Sequence, residues 1–448
     1  MLDVREAEGR AAALIDAALK AGADAADVLY IGDASTEVQV RLGELEDVTR
    51  SEGEEIGLRF FAGSRSASVS SSDLSPDALA ALVERAAAMA REAPEDPWSG
   101  LASDDRLLRG PGPDIEGDDG ADPSPVALKA QALAIEDVAR SVPGITNSEG
   151  AGMSAGRTVV ALATSQDFAR GYTTSGYQGS ASVIAGTGSF MQRDYASHST
   201  RHYADLDGPE ALGRLAAERA VKRLDPGKLA SGNMPVVFDP RVGGSLIGHL
   251  LGALSGPAIA RKTSFLLGRE EEELFDPAIV IVDDPHRRRG LRSKPFDGEG
   301  VATAPRRLVE GGRLTGWLLN SASARQLGLE TSGNANRGIG GPPGVGGTNV
   351  HMEPGSLSPA ELMGDIRLGL YVTEMIGSAV NPVTGDFSRG ASGFIIVDGE
   401  IATAVDEITI AGNLVDMYRA LVPADDLEHR RSVNVPTLRI DGMTVAGA

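Results

Sequence analysis

The chain of 448 residues contains no cysteine. That excludes disulfides, thiolate nucleophiles, Cys-ligated zinc and Cys-ligated iron–sulfur clusters. It also lacks an apolar signal core, because MLDVREAEGR is charged from its third residue. The longest uncharged apolar stretch, 242–260, is 19 residues long and holds five glycines, a proline and a histidine, which makes a poor membrane span. Positive charge is in deficit. The net charge is −21, so the surface repels phosphate backbones. The longest basic run, Arg287-Arg288-Arg289, follows Asp283 and Asp284 and reads as a solvated loop. A cytoplasmic protein that binds neither nucleic acid nor membrane is expected.

Phosphate and hydride chemistry have no local support. The glycine-rich GIGGPPGVGGTN lacks the Gly-Lys-Ser/Thr ending of a P-loop, and GTGSFM is not a dinucleotide fingerprint. Ser154 sits in a G-x-S-x-G, GMSAG, but a nucleophile elbow needs a strand before it and a helix after it. A loop-like segment precedes Ser154 and a strand-like one follows, so an ordinary turn is expected.

What is present is an alternation of helix and strand signals. Apolar residues at helical spacing predict helices over 6–21, 75–92, 124–142 and 209–223, and another near 359–369. Between them lie β-type runs such as TEVQVRLG and EEIGLRFFAG. Residues 93–123 carry five prolines and five glycines without apolar periodicity and read as a linker or surface loop. The expected organisation is an N-terminal α+β domain (1–95), the linker (96–123), a middle α+β domain packed on the first (124–228) and a C-terminal domain (229–448). Helix–strands–helix occurs before and after the linker, which suggests a structural duplication without a visible sequence repeat. The fold class is α+β. Helices pack on antiparallel or mixed sheets in the N-terminal part, and the C-terminal domain carries a strongly curved, largely antiparallel sheet.

Six histidines are the candidate acid–base or metal groups. His198 and His202 are four apart, but their context reads as strand and turn. On a strand that spacing separates them by about 13 Å, too far to share one ion. His286 follows a proline in a charged turn, and no role is readable for His351 or His429. His249 lies in GGSLIGHLLGALSG. A zinc-protease helix needs a second imidazole about one turn on and a carboxylate between, whereas Ala253 and Leu254 stand one turn after His249. Gly244, Gly248, Gly252 and Gly256 recur every four residues. Interior glycines cost about 1 kcal/mol each against alanine, so close packing along that stripe is expected, with His249 beside it. The second candidate is the glycine-rich segment 332–355. Its Asn334, Asn336, Arg337, Thr348 and Asn349 could hydrogen-bond an extended peptide or a partner; an unstructured surface loop is the alternative.

Almost end to end, the chain resembles the TldD/PmbA family, in its PmbA (TldE) branch. The resemblance is carried by RSEGEEIGLRFFAGSRSASVSSSDLS, APEDPWSGLA, GGSLIGHLLGALSGPAIARKTSFL, KPFDGEGVAT, GWLLNSASARQLGLETSGNA and EITIAGNLVDMY. It implies a cytoplasmic protease of two related subunits that cleaves small unfolded peptides. The TldD-type subunit carries His-Glu-x-x-x-His on this same helix and a cysteine as third zinc ligand. Those positions fall on Gly248, His249 and Ala253 here, and the cysteine has no counterpart. The resemblance therefore implies a subunit with no zinc and no catalytic residue of its own, whose TldD-type partner holds the zinc. The isolated chain could also form a homodimer. Two alternatives stay open: a peptide-binding or scaffold homo-oligomer without a proteolytic partner, and a stand-alone hydrolase using His249 as general base.

Overall fold

Helix α1 (Val4–Lys20) begins where the chain writes a capping box. The Asp3 carboxylate accepts from the Glu6 N–H at 2.9 Å, and the Glu6 carboxylate accepts from the Asp3 N–H at 3.0 Å. Strands β1 (Ala25–Arg41), β2 (Glu44–Ala62) and β3 (Arg65–Ser71) follow, and then α2 (Pro76–Glu92), capped by Ser75 and opened by Pro76. The pattern repeats as α3 (Pro125–Ser141), β4 (Ile145–Thr164), β5 (Phe168–Ala185), β6 (Gln192–Thr200) and α4 (Pro209–Lys222). The computed structural model describes residues 1–377 and 379–447.

The two repeats share one antiparallel sheet in the order β3-β2-β1-β4-β5-β6, because β1 pairs with both β2 and β4. Side chains alternate across a strand. On β1, Val28 and Tyr30 meet α1 and α2, and Val38 and Val40 meet α3 and α4. These are all even-numbered positions, so the four helices cover one face. Leu29 faces the other way and joins Leu162, Phe168, Phe296 and Val301 in a separate apolar cluster. That cluster ties the sheet's second face to the C-terminal part. Segment 93–123 contributes to it, with Ala102 and Leu107 buried there and Leu107 bridged to Val301. GMSAG lies in the middle of β4, with Ser154 paired to Glu37 and Gln178. The expected turn is corrected to strand: β1 and β5 on either side satisfy its backbone, which a local glycine count does not reveal.

The C-terminal part opens with β7 (Gly232–Phe238), α5 (Pro240–Ala253) and α6 (Gly256–Ala260). Short elements come next: β8 (Ile281–Asp283), β9 (Arg306–Glu310), β10 (Arg313–Leu314), α7 (Ser321–Leu327), β11 (Ala335–Asn336), β12 (Gly344–Val345), β13 (Val350–Met352) and α8 (Pro359–Met363). The chain finishes with β14 (Leu368–Ile376), β15 (Asp386–Val397), β16 (Glu400–Asn413), α9 (Leu414–Arg419), β17 (Leu421–Pro423), β18 (Val433–Asn434) and β19 (Leu438–Ala446). The helix expected to reach 369 stops at Met363, since Gly364 follows and β14 begins at Leu368.

The larger C-terminal sheet runs β16-β15-β14-β7-β19-β17, and β19 also pairs with β16. Five strands therefore close on themselves. All pairings are antiparallel except β14 with β7. Bulges between Val372 and Glu374, Ala391 and Gly393, and Ile440 and Met443 supply the curvature. Gly393 is required there, because a Cβ would overlap the Tyr371 carbonyl oxygen. The strongly curved, largely antiparallel sheet is thus present. A second sheet, β10-β9-β8-β13-β18, packs beside it.

Candidate functional site

Helix α5 starts where Asp239 accepts from the Arg241 N–H at 2.9 Å and Pro240 takes the first helical position. Leu246, Ile247, Leu250 and Ala253 are buried in the main C-terminal core. Two hydroxyls fix its carbonyls: Tyr418 donates to the Leu246 oxygen at 2.9 Å, and Ser264 donates to the Ala253 oxygen at 2.7 Å. The second bond satisfies one of the orphan acceptors at the helix end.

The four-spaced glycines do not form one packed ridge. A Cβ at Gly244 would press on the Val433 carbonyl oxygen at 3.2 Å, and one at Gly256 would overlap Leu319 and meet Ser323 Oγ at 2.7 Å. Gly248 and Gly252 are exposed, and a Cβ on either meets nothing within 4 Å. The expectation of close packing is corrected at these two positions. A four-residue step drifts about 40° around a helix of 3.6 residues per turn, and Gly256 has already left α5 for α6. The middle of the stripe faces open space.

His249 points the other way. Its ring packs edge-on to Phe387 at 6.2 Å between centroids, and its Nε2 is buried without a hydrogen-bond partner. Burial, with the nearby Arg389 charge adding to it, pushes the imidazole below its ordinary pKa. Among the described residues no carboxylate orients the ring. The positions Gly248, His249 and Ala253 therefore offer one inward-turned imidazole, one bare backbone and one methyl group. They do not fit a zinc ion, which takes three protein ligands in a catalytic site. Among the described residues no group of three His, Asp or Glu side chains gathers elsewhere.

The other histidines are engaged locally. His198 lies on β6, and its Nδ1 accepts from the Asp207 N–H at 3.1 Å. His202 Nε2 meets the Glu116 carbonyl at 2.9 Å. His286 pairs with the Thr303 hydroxyl at 2.9 Å. His351 and His429, distant in sequence, stack edge-on at 5.0 Å, and Arg287 sits 2.6 Å from His429 Nδ1. That arginine disfavours a cation there.

The glycine-rich segment is a short hairpin, β11 with β12, rather than an unstructured loop. Four of its five candidate contact residues are spent inside the protein. Asn334 donates to Asp283 at 2.9 Å, and the Thr348 N–H donates to the same carboxylate at 2.8 Å. Asn349 donates to the Asp284 carbonyl and to Ser293 Oγ, each at 2.8 Å. The Arg337 guanidinium is buried against Asp27 of β1. Only Asn336 is exposed. The reading of these residues as peptide or partner contacts is corrected for all but Asn336, because carboxylates claim the polar atoms of Asn334, Arg337 and Thr348, and backbone groups and Ser293 claim those of Asn349. Asp283, Asp297 and Glu299 were not candidates in the sequence. An acid directly after an apolar run, as in AIVIVDD, was the available signal.

The N-terminal half of α5 borders a cleft of about 900 Å³, lined by its Gly244 and Ser245 and by β6, α4, β14 and the segment before β19. Buried pairs make its floor. Arg241 holds Asp194 with two bonds of 2.7 and 3.1 Å, and Arg223 holds Glu374 at 2.7 Å. Burial opposes the charge on Asp194, but the hydrogen bonds and charge of Arg241, with the Tyr195 N–H and Arg223, together outweigh it and keep its pKa below the ordinary carboxylate value.

Three family models cover nearly the whole chain: PmbA/TldA metallopeptidase domain 1 over residues 26–90, the central domain over 118–224 and the C-terminal domain over 231–447. The chain is 37% identical to "Metalloprotease PmbA" of Escherichia coli O157:H7 over 95% of its own length and 92% of that protein's. It is 35% identical to a PmbA homolog of Haemophilus influenzae, covering 100% and 98%. Among solved structures, a putative modulator of DNA gyrase from Bacteroides thetaiotaomicron superposes with a TM-score of 0.91 at 26% identity, covering 99% of each chain. TldE from Thermococcus kodakarensis shares the fold, with a TM-score of 0.87 at 22% identity over 98% of this chain and 100% of the other.

Proposed function

We propose that this chain, which belongs to the PmbA/TldD metallopeptidase family, is a zinc-free subunit that acts with a separate zinc-bearing, TldD-type subunit. The pair cleaves small unfolded peptides, and this subunit walls the cavity in which they are held. One observation carries the reading. By the family resemblance α5 corresponds to the zinc-binding helix of a TldD-type subunit, yet Gly248 and Ala253 cannot ligate and His249 is turned toward Phe387. The exposed backbone at Gly248 and Gly252 supports a role in which another chain comes close to this helix.

The test is reconstitution. The purified chain carries no stoichiometric zinc and cleaves no peptide alone. Adding a subunit with the His-Glu-x-x-x-His helix produces a chelator-sensitive peptidase in a complex of the two. One zinc per chain bound through α5 would overturn the reading, as would a peptidase activity of the pure chain that His249→Ala abolishes.

A further inference from the structure

The cleft beside α5 is lined by seven arginines and no lysine, against five carboxylates, on a chain whose net charge is −21. Four of the arginines have acid partners: Arg223 and Arg241 as described, Arg430 with Asp207, and Arg193 with Glu149 at 3.5 Å. The other three do not. Arg219 donates to the Tyr195 carbonyl and Arg389 to the Ile376 carbonyl, while the exposed Arg431 side chain makes no such bond. None of the three has a carboxylate within 4.0 Å among the described residues. Burial lowers the pKa of both Arg219 and Arg389; Asp239 and Asp194 oppose that shift at Arg219 without reversing it, and burial acts alone at Arg389. Arg241, only 6% exposed in its side chain, also leaves its Nε without a hydrogen-bond partner, with an Asp239 oxygen 4.0 Å away.

These three guanidinium groups stand on different elements: α4, β15 and the segment before β19. One compact anion does not call for charges on three separate walls. A chain with several spaced carboxylates does. The cleft also presents β6, the last strand of its sheet, with Arg193, Tyr195, Ser197 and Ser199 alternating along the lining. Beyond Tyr195, whose carbonyl and N–H are taken by Arg219 and Asp194, an edge strand offers unpaired backbone groups to an extended peptide, and arginine is the cation suited to planar, bidentate carboxylate recognition.

We propose that this cleft binds an extended acidic peptide segment, with Arg219, Arg389 and Arg431 pairing its side-chain carboxylates. The proposal rests on the reading that the complex handles unfolded peptides, and it adds their charge class.

Fluorescence anisotropy on the full, isolated chain tests it. The probes are a short labelled Glu-rich peptide with an amidated C-terminus, its Gln counterpart, and the Gln peptide with a free C-terminus. The Glu peptide is expected to bind at least about ten-fold tighter than both Gln peptides, and raised salt weakens it. The Arg219→Gln/Arg389→Gln/Arg431→Gln variant loses about ten-fold or more of that affinity. Because Arg431 is exposed, Arg431→Glu alone keeps the parent's melting temperature and still weakens binding several-fold. Equal binding of the Glu and Gln peptides overturns the proposal, and so does unchanged affinity in Arg431→Glu. A free-C-terminus Gln peptide matching the Glu peptide overturns it too, by assigning the site to a chain end, as does displacement by equimolar inorganic pyrophosphate. The zinc content of the purified chain and its assembly with a His-Glu-x-x-x-His subunit do not depend on these arginines, so failure here leaves the subunit reading standing, and the reverse also holds.

Discussion

Arg337, from the glycine-rich hairpin of the C-terminal part, is buried against Asp27 on β1 of the N-terminal sheet. Asp27 also takes the Arg59 Nε at 2.8 Å, and Arg59 lies over the Phe61 ring at 4.8 Å. One carboxylate thus serves two guanidinium groups that are almost fully enclosed. Removing it leaves two buried charges unopposed. Asp27→Ala is expected to cost about 3–5 kcal/mol, the usual price of breaking a buried pair. Arg337→Met costs less, because Arg59 still neutralises Asp27. Urea unfolding of both variants checks the order. An Arg337→Met protein less stable than Asp27→Ala would contradict it.

The glycines of the α5 stripe should separate into two kinds. At Gly248 and Gly252 a methyl group enters open space within a helix, so alanine stabilises the isolated chain by up to about 1 kcal/mol at each. Gly256→Ala drives a Cβ into Leu319 and Ser323 and destabilises by about 1–3 kcal/mol. Thermal melts of the three single variants measure both signs.

His249 makes stability fall in mild acid. Its folded pKa is depressed by burial and by Arg389. As pH drops below about 6.5, the unfolded chain takes up a proton that the folded chain refuses, so the folded state loses ground until its own lower pKa is reached. NMR titration should place the His249 midpoint below 6.5. In His249→Gln the stability difference between pH 7.5 and pH 5.5 should shrink. An unchanged difference would remove His249 as its source.

Asp297 ties its own turn to β11 through its acceptor atoms. Oδ1 takes the N–H groups of Glu299 and Val301, at 2.8 and 3.0 Å, and Oδ2 takes that of Ala335 at 3.0 Å. Burial and the neighbouring Glu299 push its pKa up to about 7, while Lys294 opposes the rise. Asp297→Asn sets an amide donor against at least one of those N–H groups. A loss of about 1–3 kcal/mol is expected, together with faster amide exchange at Ala335. Retention of wild-type stability would show that the site runs on a neutral acid that an amide can replace.

Much of the local structure could be read from the chain itself. Caps and apolar stripes fix α1 to α4 within a residue or two of their ends, since Asp3, Ser75-Pro76 and Ser124-Pro125 satisfy the first N–H groups by local chemistry. The missing cysteine and the lone His249 of α5 were equally legible, because a ligand that is not in the chain cannot be supplied by folding. Packing between distant segments was not. Whether Gly248 faces solvent, whether Asn334 is free, and which acid claims Arg337 depend on residues far apart in sequence. Asp27 and Arg337 carry no local mark of each other. Only the seating of Phe296, Val301 and the β11–β12 hairpin on the second face of the N-terminal sheet brings them together. The same tertiary placement turned a stripe of glycines into an open helix face beside an arginine-lined cleft.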